Sequence, residues 1–437
     1  MPSVPPAPLR PAATSRPRHG SSEAVPSRSP QGPHAPARHF TRRLTDRLAH
    51  RLLPADREVL WLYAATRLGL WVCAYCARWL FPADGSARHP APVLSSWQQW
   101  DWSYYLRIAR DGYFPAGAPQ PGTTGWDNRE AFFPGFPLVL RAAHTVVRDW
   151  TAAGLLVSFA AGAVAVLALA RIARLDLPGV DDGRRTVRLF LLSPCALFLA
   201  VGYTEALFLA LALPAWLAAR RANWPLAGLL SCLACAVRIS GVFLVAAMCV
   251  QFLCDHPARR ARESGHSTAA WVLRALPWLA LPALSPLAYA AYLHAHTGDW
   301  WAWKHAENRG WYRDFTPPWT AWHHTWTAAF GHTQAAPYAV EFQFELLAAV
   351  VGLALVALLL VRRRWPEAVY AALGLGSLCV SYWYMSIPRA TLLWWPLWTA
   401  LAAATARRPR LETLYLCAAA PLSTVLALAF LTGRWAG

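Results

Sequence analysis

Charged side chains are scarce in this chain. They make up 15% of its 437 residues, where an ordinary soluble domain carries about a quarter. Lysine is almost absent: of the 41 basic residues only Lys304 is not an arginine. The nine cysteines (Cys73, Cys76, Cys195, Cys232, Cys235, Cys249, Cys254, Cys379 and Cys417) all lie in apolar stretches. The spacings Cys73/Cys76 and Cys232/Cys235 put two small residues on one helix face, so neither a disulfide framework nor a zinc site is predicted. The pairs His294/His296 and His323/His324 lack carboxylates at ligand spacing, and no metal or cofactor is expected. No apolar run precedes Val59, so no secretory signal peptide is predicted. No internal repeat is evident, which counts against the repeated, interrupted helices of many transporters.

What fills the chain instead is apolar and aromatic. Hydrophobic residues make up 56%, with 25 Trp, and several apolar runs reach the roughly 20 residues that cross a bilayer as a helix. The sequence therefore predicts an all-α polytopic membrane protein. The formal charge of +18 does not indicate nucleic acid, because the arginines gather in an N-terminal tail and in short connections between spans, as in cytoplasmic segments. Residues 1–57, rich in Pro and Ser with ten Arg against three acids, are predicted to form a disordered cytoplasmic tail, leaving 58–437 as the membrane domain.

The first span is expected from about Val59 to Phe81. It leads to a loop, 82–131, holding four Arg against five acids. Residues 132–150, broken by Pro134 and Pro137, are predicted not to cross, and 151–170 returns to the arginine-rich side. The 187–219 run reads as two short helices meeting near Gly202–Glu205, and 224–254 as a second pair hinged around Arg238–Gly241. A span at 271–296 precedes a second long loop, 297–340, which is dense in Trp. Spans at 341–361, 366–385, 390–406 and 411–432 complete a count of about eleven. Every arginine cluster then falls on one side and both long loops on the other, with the N-terminus cytoplasmic.

The most informative segment is Trp97–Tyr113. Trp100, Tyr104 and Ile108 recur every four residues, so a helix would carry them on one face, and aromatic rings of this kind anchor at headgroup depth. Asp101 would then sit where lipid meets water.

Trp100-Asp-Trp-Ser-Tyr-Tyr-Leu-Arg-Ile-Ala-Arg-Asp-Gly-Tyr113 resembles the first-loop motif of the GPI mannosyltransferase II, or PIG-V-like, family. Ala131-Phe-Phe-Pro-Gly-Phe-Pro137 matches that family's aromatic-proline element. Ser193-Pro194 through Tyr203-Thr-Glu205-Ala-Leu-Phe208 resembles the next, and Ser386-Ile-Pro-Arg389 with Trp395-Pro396 is similar to its C-terminal arginine region. The chain departs from the pattern at Ala390, where an aromatic commonly follows the arginine. The resemblance implies a GT-C fold, an extracytoplasmic catalytic loop, and a polyprenyl-phosphate sugar, usually mannose, as donor. The bias toward Arg and Ala points to a GC-rich bacterial genome. The expected setting is therefore a bacterial cell membrane, and the expected acceptor a glycolipid or cell-envelope glycan.

Glycosyl transfer from a lipid phosphate needs a carboxylate to take the acceptor's proton and cations to receive the growing phosphate charge. Asp101 is the expected base, although an aspartate here could also serve merely as a helix cap; the resemblance implies that the reaction inverts. Trp100 and Tyr105 are expected at the substrate, Tyr105 because it shares Asp101's face four residues on. Glu205 is a second acidic candidate at an outward hairpin tip. Arg389 and Arg129 are the first candidates for the phosphate, with Arg107 and Lys304 behind them, since a planar guanidinium suits a phosphate. Arg238, inside an apolar run, is a site candidate by default, but the preferred reading has it holding the carbonyls of a broken helix. The tryptophans of the second loop are read as interfacial anchors. Alternatives are the same fold with another polyprenyl-phosphate sugar, or a transporter or flippase of a lipid-linked glycan; two large external loops favour the enzyme.

Overall fold

The computed structural model describes residues 53–81, 92–255, 265 and 267–436. Nearly all of the expected tail lies outside these residues. Its last five positions do not: Leu53 precedes the first helix, α1, which already begins at Pro54 and runs to Leu80, with the proline in the first turn, where no amide hydrogen is needed.

Among the described residues all regular structure is helical. After α1 come α2 (Trp102–Asp111), α3 (Gly135–His144), α4 (Trp150–Asp176), α5 (Arg184–Leu191), α6 (Thr204–Arg220), α7 (Trp224–Val237) and α8 (Ser240–Cys254). There follow α9 (Thr268–Ala280), α10 (Leu284–Thr297), α11 (Ala302–Trp311), α12 (Pro318–Phe330), α13 (Ala336–Val361), α14 (Trp365–Cys379), the single turn α15 (Ile387–Ala390), α16 (Trp395–Arg407) and α17 (Pro409–Leu431). The second long loop thus contains two helices, α11 and α12. The Pro134/Pro137 segment forms only the ten-residue α3, about 15 Å long at 1.5 Å per residue and too short to cross a bilayer.

Five helices among the described residues are long and apolar enough to span: Pro54–Leu80, Trp150–Asp176, Thr268–Thr297 (α9 and α10 joined by one tight turn), Ala336–Val361 and Pro409–Leu431. The remaining apolar runs among the described residues are divided into shorter helices. The cuts fall where expected, before Thr204 and at Arg238–Ile239. Arg238 is extended between α7 and α8, at φ −151° and ψ 146°. Each cut exposes helix termini, which need hydrogen-bond partners and so bring polar side chains inside the bundle.

The arginines assigned to one side by charge bias form a paired network. Asp56 accepts from Arg174 at 2.5 Å, with Arg171 at 3.6 Å. Asp176 takes Arg220 at 2.9 Å and Arg364 at 2.7 Å. Glu412 receives Arg185 at 3.0 Å and also Arg188. These pairs tie together the ends of α1, α4, α5, α6, α14 and α17.

Trp102, the first residue of α2, is fully buried between two glycines. A Cβ at Gly202 would lie 2.5 Å from its ring, and one at Gly154 would lie 2.6 Å away. Only glycine admits the indole so close to both backbones, and this contact seats α2 against α4 and the start of α6. Gly202→Ala is expected to cost about 1–3 kcal/mol by overpacking, read as a lower melting temperature in detergent. The added Trp102→Phe change should restore part of the loss.

Candidate active site

The site begins at the turn before α2. Trp100 adopts a left-handed φ of 48°, which brings both neighbouring backbone groups onto one phenol. Tyr203 donates to the Gln99 carbonyl at 2.6 Å and accepts from the Asp101 amide at 3.1 Å. Asp101 occupies the N-cap position of α2, yet its side chain caps nothing. It accepts instead from Arg389 Nη1 at 2.8 Å. The ordinary structural use of an aspartate here is therefore not the one observed.

Arg389 is brought to Asp101 by α15. Ser386, with φ 68°, turns the chain. Its amide and that of Ile387 donate to the Glu345 carboxylate at 2.6 and 2.9 Å, so a carboxylate from α13 caps the turn that carries the arginine. The Arg389 guanidinium lies 4.6 Å from the Phe198 ring centre and 4.8 Å from that of Tyr203, a desolvated setting in which cation–π attraction is strong.

Glu205, in the first turn of α6, completes the cluster. Its Oε1 accepts from Arg389 Nε at 2.6 Å and from Arg238 Nη1 at 2.6 Å. Arg238 Nη1 also donates to the Thr204 hydroxyl at 2.6 Å. Glu205 is fully buried, and its Oε2 has no hydrogen-bond partner. Two carboxylates and two arginines thus alternate in one chain, Asp101–Arg389–Glu205–Arg238, drawn from four separate parts of the sequence. Burial of such charges is tolerated because each is paired.

The cluster heads a cavity of about 490 Å³. Asp101, Tyr105, Arg238 and Arg389 line one part of it, and Trp303, Lys304, Glu307, Trp311 and Arg313 from the second loop line another. Tyr105 is buried, and that burial holds its phenol above the ordinary value. Phe132 stacks on Tyr104 at 4.6 Å between ring centres and meets Trp311 edge-on at 5.3 Å. A buried carboxylate locks the two loops: Glu130 accepts from Trp126 Nε1 at 2.6 Å and from Arg309 at 2.9 Å. Burial raises its carboxyl above the ordinary value against these donors.

The structure brings together six of the residues singled out in the sequence: Asp101, Tyr105, Glu205, Arg389, Arg238 and Lys304. It does not bring Arg129, Arg107 or Trp100 to the cavity lining. Arg129 grips Asp127 at 2.7 and 2.8 Å and the Gly112 carbonyl at 3.0 Å, while Arg107 reaches Asp127 at 3.1 Å. Burial of Asp127 opposes its charge, yet these arginines hold its carboxyl below the usual range. Both therefore brace the first loop. Trp100 precedes the helix rather than lying on its face; it donates to the Arg434 carbonyl at 3.2 Å and packs edge-on against Trp435.

Arg238 lines the cavity and is held by Glu205 and Thr204 rather than by carbonyls. An ionisable group inside an apolar run was the available signal. Glu307 and Arg313 were missed, since nothing in a tryptophan-rich loop marks which of its charges turns inward.

Residues 89–292 match the family model described as mannosyltransferase (PIG-V). Over this stretch the chain is PIG-V-like. It is 31% identical over 193 residues to mouse GPI alpha-1,6-mannosyltransferase 2, an alignment covering 41% of this chain and 37% of the mouse protein. The rat protein of that name is 33% identical over 174 residues, covering 37% of this chain and 33% of the relative. The human one is 31% identical over the same length with the same coverage. The alignments thus span only about a third of these relatives' own length. The family match takes in Asp101, Glu205 and Arg238 and leaves Lys304, Arg313 and Arg389 of this PIG-V-like chain outside it. No solved structure matches the chain.

Proposed function

We propose that this PIG-V-like protein is a multi-pass membrane mannosyltransferase that moves mannose from a polyprenyl-phosphate donor to a lipid-linked or cell-envelope glycan, with inversion and with Asp101 as base. The membrane domain takes in 58–437, and the loops over 82–131 and 297–340 form the catalytic face outside the cytoplasm. What carries the reading is the Arg389–Asp101 contact at the head of the cavity: a carboxylate and a guanidinium in reach of one bound lipid phosphate.

In the reaction the acceptor oxygen attacks C1 of the sugar, the bond from C1 to the phosphate oxygen breaks, and the acceptor's proton passes to Asp101. The leaving lipid changes from a phosphodiester with one negative charge to a monoester with nearly two, so cations at the phosphate favour the transition state over the ground state. A donor phosphate approaching Arg389 competes with Asp101 for its N–H groups and frees a carboxylate oxygen for the proton. Glu205, fully buried, keeps Arg389 in place meanwhile.

The test is transfer of labelled mannose from polyprenyl-phosphate mannose in membranes holding wild type or Asp101→Asn at equal abundance. The expected loss in the variant is about 10²–10⁴-fold, the usual range for a general base, with thermal stability close to wild type. Unchanged transfer by the variant removes Asp101 from the chemistry. Transfer from another polyprenyl-phosphate sugar but not from the mannose donor would change the assigned hexose.

A further inference from the structure

Six charged side chains line the cavity: Asp101 and Glu307 against Arg238, Lys304, Arg313 and Arg389. Three of the four cations have a carboxylate beside them. Arg389 and Arg238 are 2.6 Å from Glu205, and Lys304 is 3.9 Å from Glu307. The Arg313 side chain makes no hydrogen bond or ion pair among the described residues; it acts on the buried Glu345 carboxylate only through its charge.

Its backbone, by contrast, is fixed on several sides. The Arg313 carbonyl accepts from Lys304 Nζ at 2.5 Å. The Tyr312 carbonyl, at a residue with φ 52°, accepts from the Tyr382 amide at 3.3 Å, and the Thr316 amide donates to Val380 at 2.8 Å. These bonds pin the 312–316 segment to the 380–382 segment, which ends seven residues before Arg389. The chain thus holds the Arg313 backbone at the cavity wall while leaving the guanidinium donors without an acceptor among the described residues. A partly buried guanidinium whose five donors, fixed in a planar fork, are not taken by any acceptor among the described residues is suited to a phosphate oxyanion.

We propose that Arg313, steadied by Lys304, binds the phosphate of the lipid donor and of the leaving lipid monophosphate. This inference rests on the donor class assigned above. It divides the labour among the cations: Arg238 stays with the buried Glu205, and Arg313 holds the phosphate that Arg389 meets on giving up Asp101. A monophosphate carries more charge than the diester donor, so Arg313 is expected to matter more for the leaving group than for the incoming donor.

The experiment is binding of farnesyl phosphate, with farnesol as the uncharged control, to full-length protein in nanodiscs, followed by tryptophan fluorescence. Arg313→Ala should weaken farnesyl phosphate binding about tenfold or more, a loss typical of one charge-assisted contact, and leave farnesol binding unaltered. Arg313→Lys should recover part of the loss, and Arg148→Ala, at an exposed arginine outside the cavity, should bind as wild type. Equal farnesyl phosphate binding by wild type and Arg313→Ala overturns the assignment of Arg313 and leaves the donor class standing. If wild type itself does not distinguish farnesyl phosphate from farnesol, the lipid-phosphate donor falls with it. If phosphatidylinositol, and not farnesyl phosphate, depends on Arg313, the residue reads an acceptor phosphate and the proposal is wrong.

Discussion

Arg389→Ala is expected to abolish transfer and to destabilise the protein in the same step. Arg389 is 5% exposed and serves two carboxylates at once, Asp101 at 2.8 Å and Glu205 at 2.6 Å. Its removal leaves Glu205 with only Arg238, and leaves Asp101 without a charged partner at the mouth of an apolar bundle. Breaking a buried ion pair from one side costs about 3–5 kcal/mol, because the remaining charge stays desolvated. The rings of Phe198 and Tyr203 also lose the cation they enclose.

Transfer should fall by at least roughly 10²–10³-fold, the range seen when a preorganised electrostatic contact is removed from an active site. Arg389→Lys separates the two effects. An ammonium keeps the charge but lacks the fork that reaches both carboxylates, so stability should be partly recovered and transfer should not. The measurements are thermal unfolding in detergent and mannose transfer in matched membranes. A variant Arg389→Ala that melts like wild type would mean that the charge cluster is not held together in the membrane as described.

The cluster shows how much of the site could be read along the chain. Asp101 was legible because a carboxylate among tryptophans and tyrosines is costly to place without a purpose, and Glu205 because it sits where an apolar run is interrupted. Their meeting through Arg389 was not legible. The three residues lie more than a hundred positions apart from one another, and only the packing of α2, α6 and α15 brings them within one hydrogen bond. The same distance hid the opposite outcome for Arg129 and Arg107. In sequence they are arginines of a catalytic loop; in space Asp127, two residues before Arg129, claims both. The interruption at Arg238 was placed correctly, but its partner lies in another helix, and local reasoning favoured nearby carbonyls. The lengths of the individual helices were not legible for a related reason. Apolar content marks burial, while helix length is set by where polar side chains cut the helix, and here the cuts converge on the site.

Glu205 gives the sharpest separation of structure from chemistry. Its Oε1 takes both arginines, and its Oε2 has no partner, so the residue serves as the negative centre between two cations and is fully enclosed. Glu205→Ala is expected to cost about 3–5 kcal/mol, since two buried or half-buried guanidiniums are left facing each other. Glu205→Gln keeps an acceptor oxygen but not the charge, and should lose about 1.5–3 kcal/mol, the worth of a hydrogen bond to a charged group. Transfer should fall in both, through displacement of Arg389 rather than through loss of a proton acceptor. A double-mutant cycle tests this: adding Arg238→Ala to Glu205→Ala relieves one of the unpaired cations, so the two losses should sum to less than the separate values by about 0.5–3 kcal/mol. Asp101→Asn, in contrast, should lose transfer at nearly unchanged stability, because Arg389 retains Glu205. If Glu205→Gln instead unfolds like wild type and is inactive, Glu205 acts on the substrate and the roles of the two carboxylates must be exchanged.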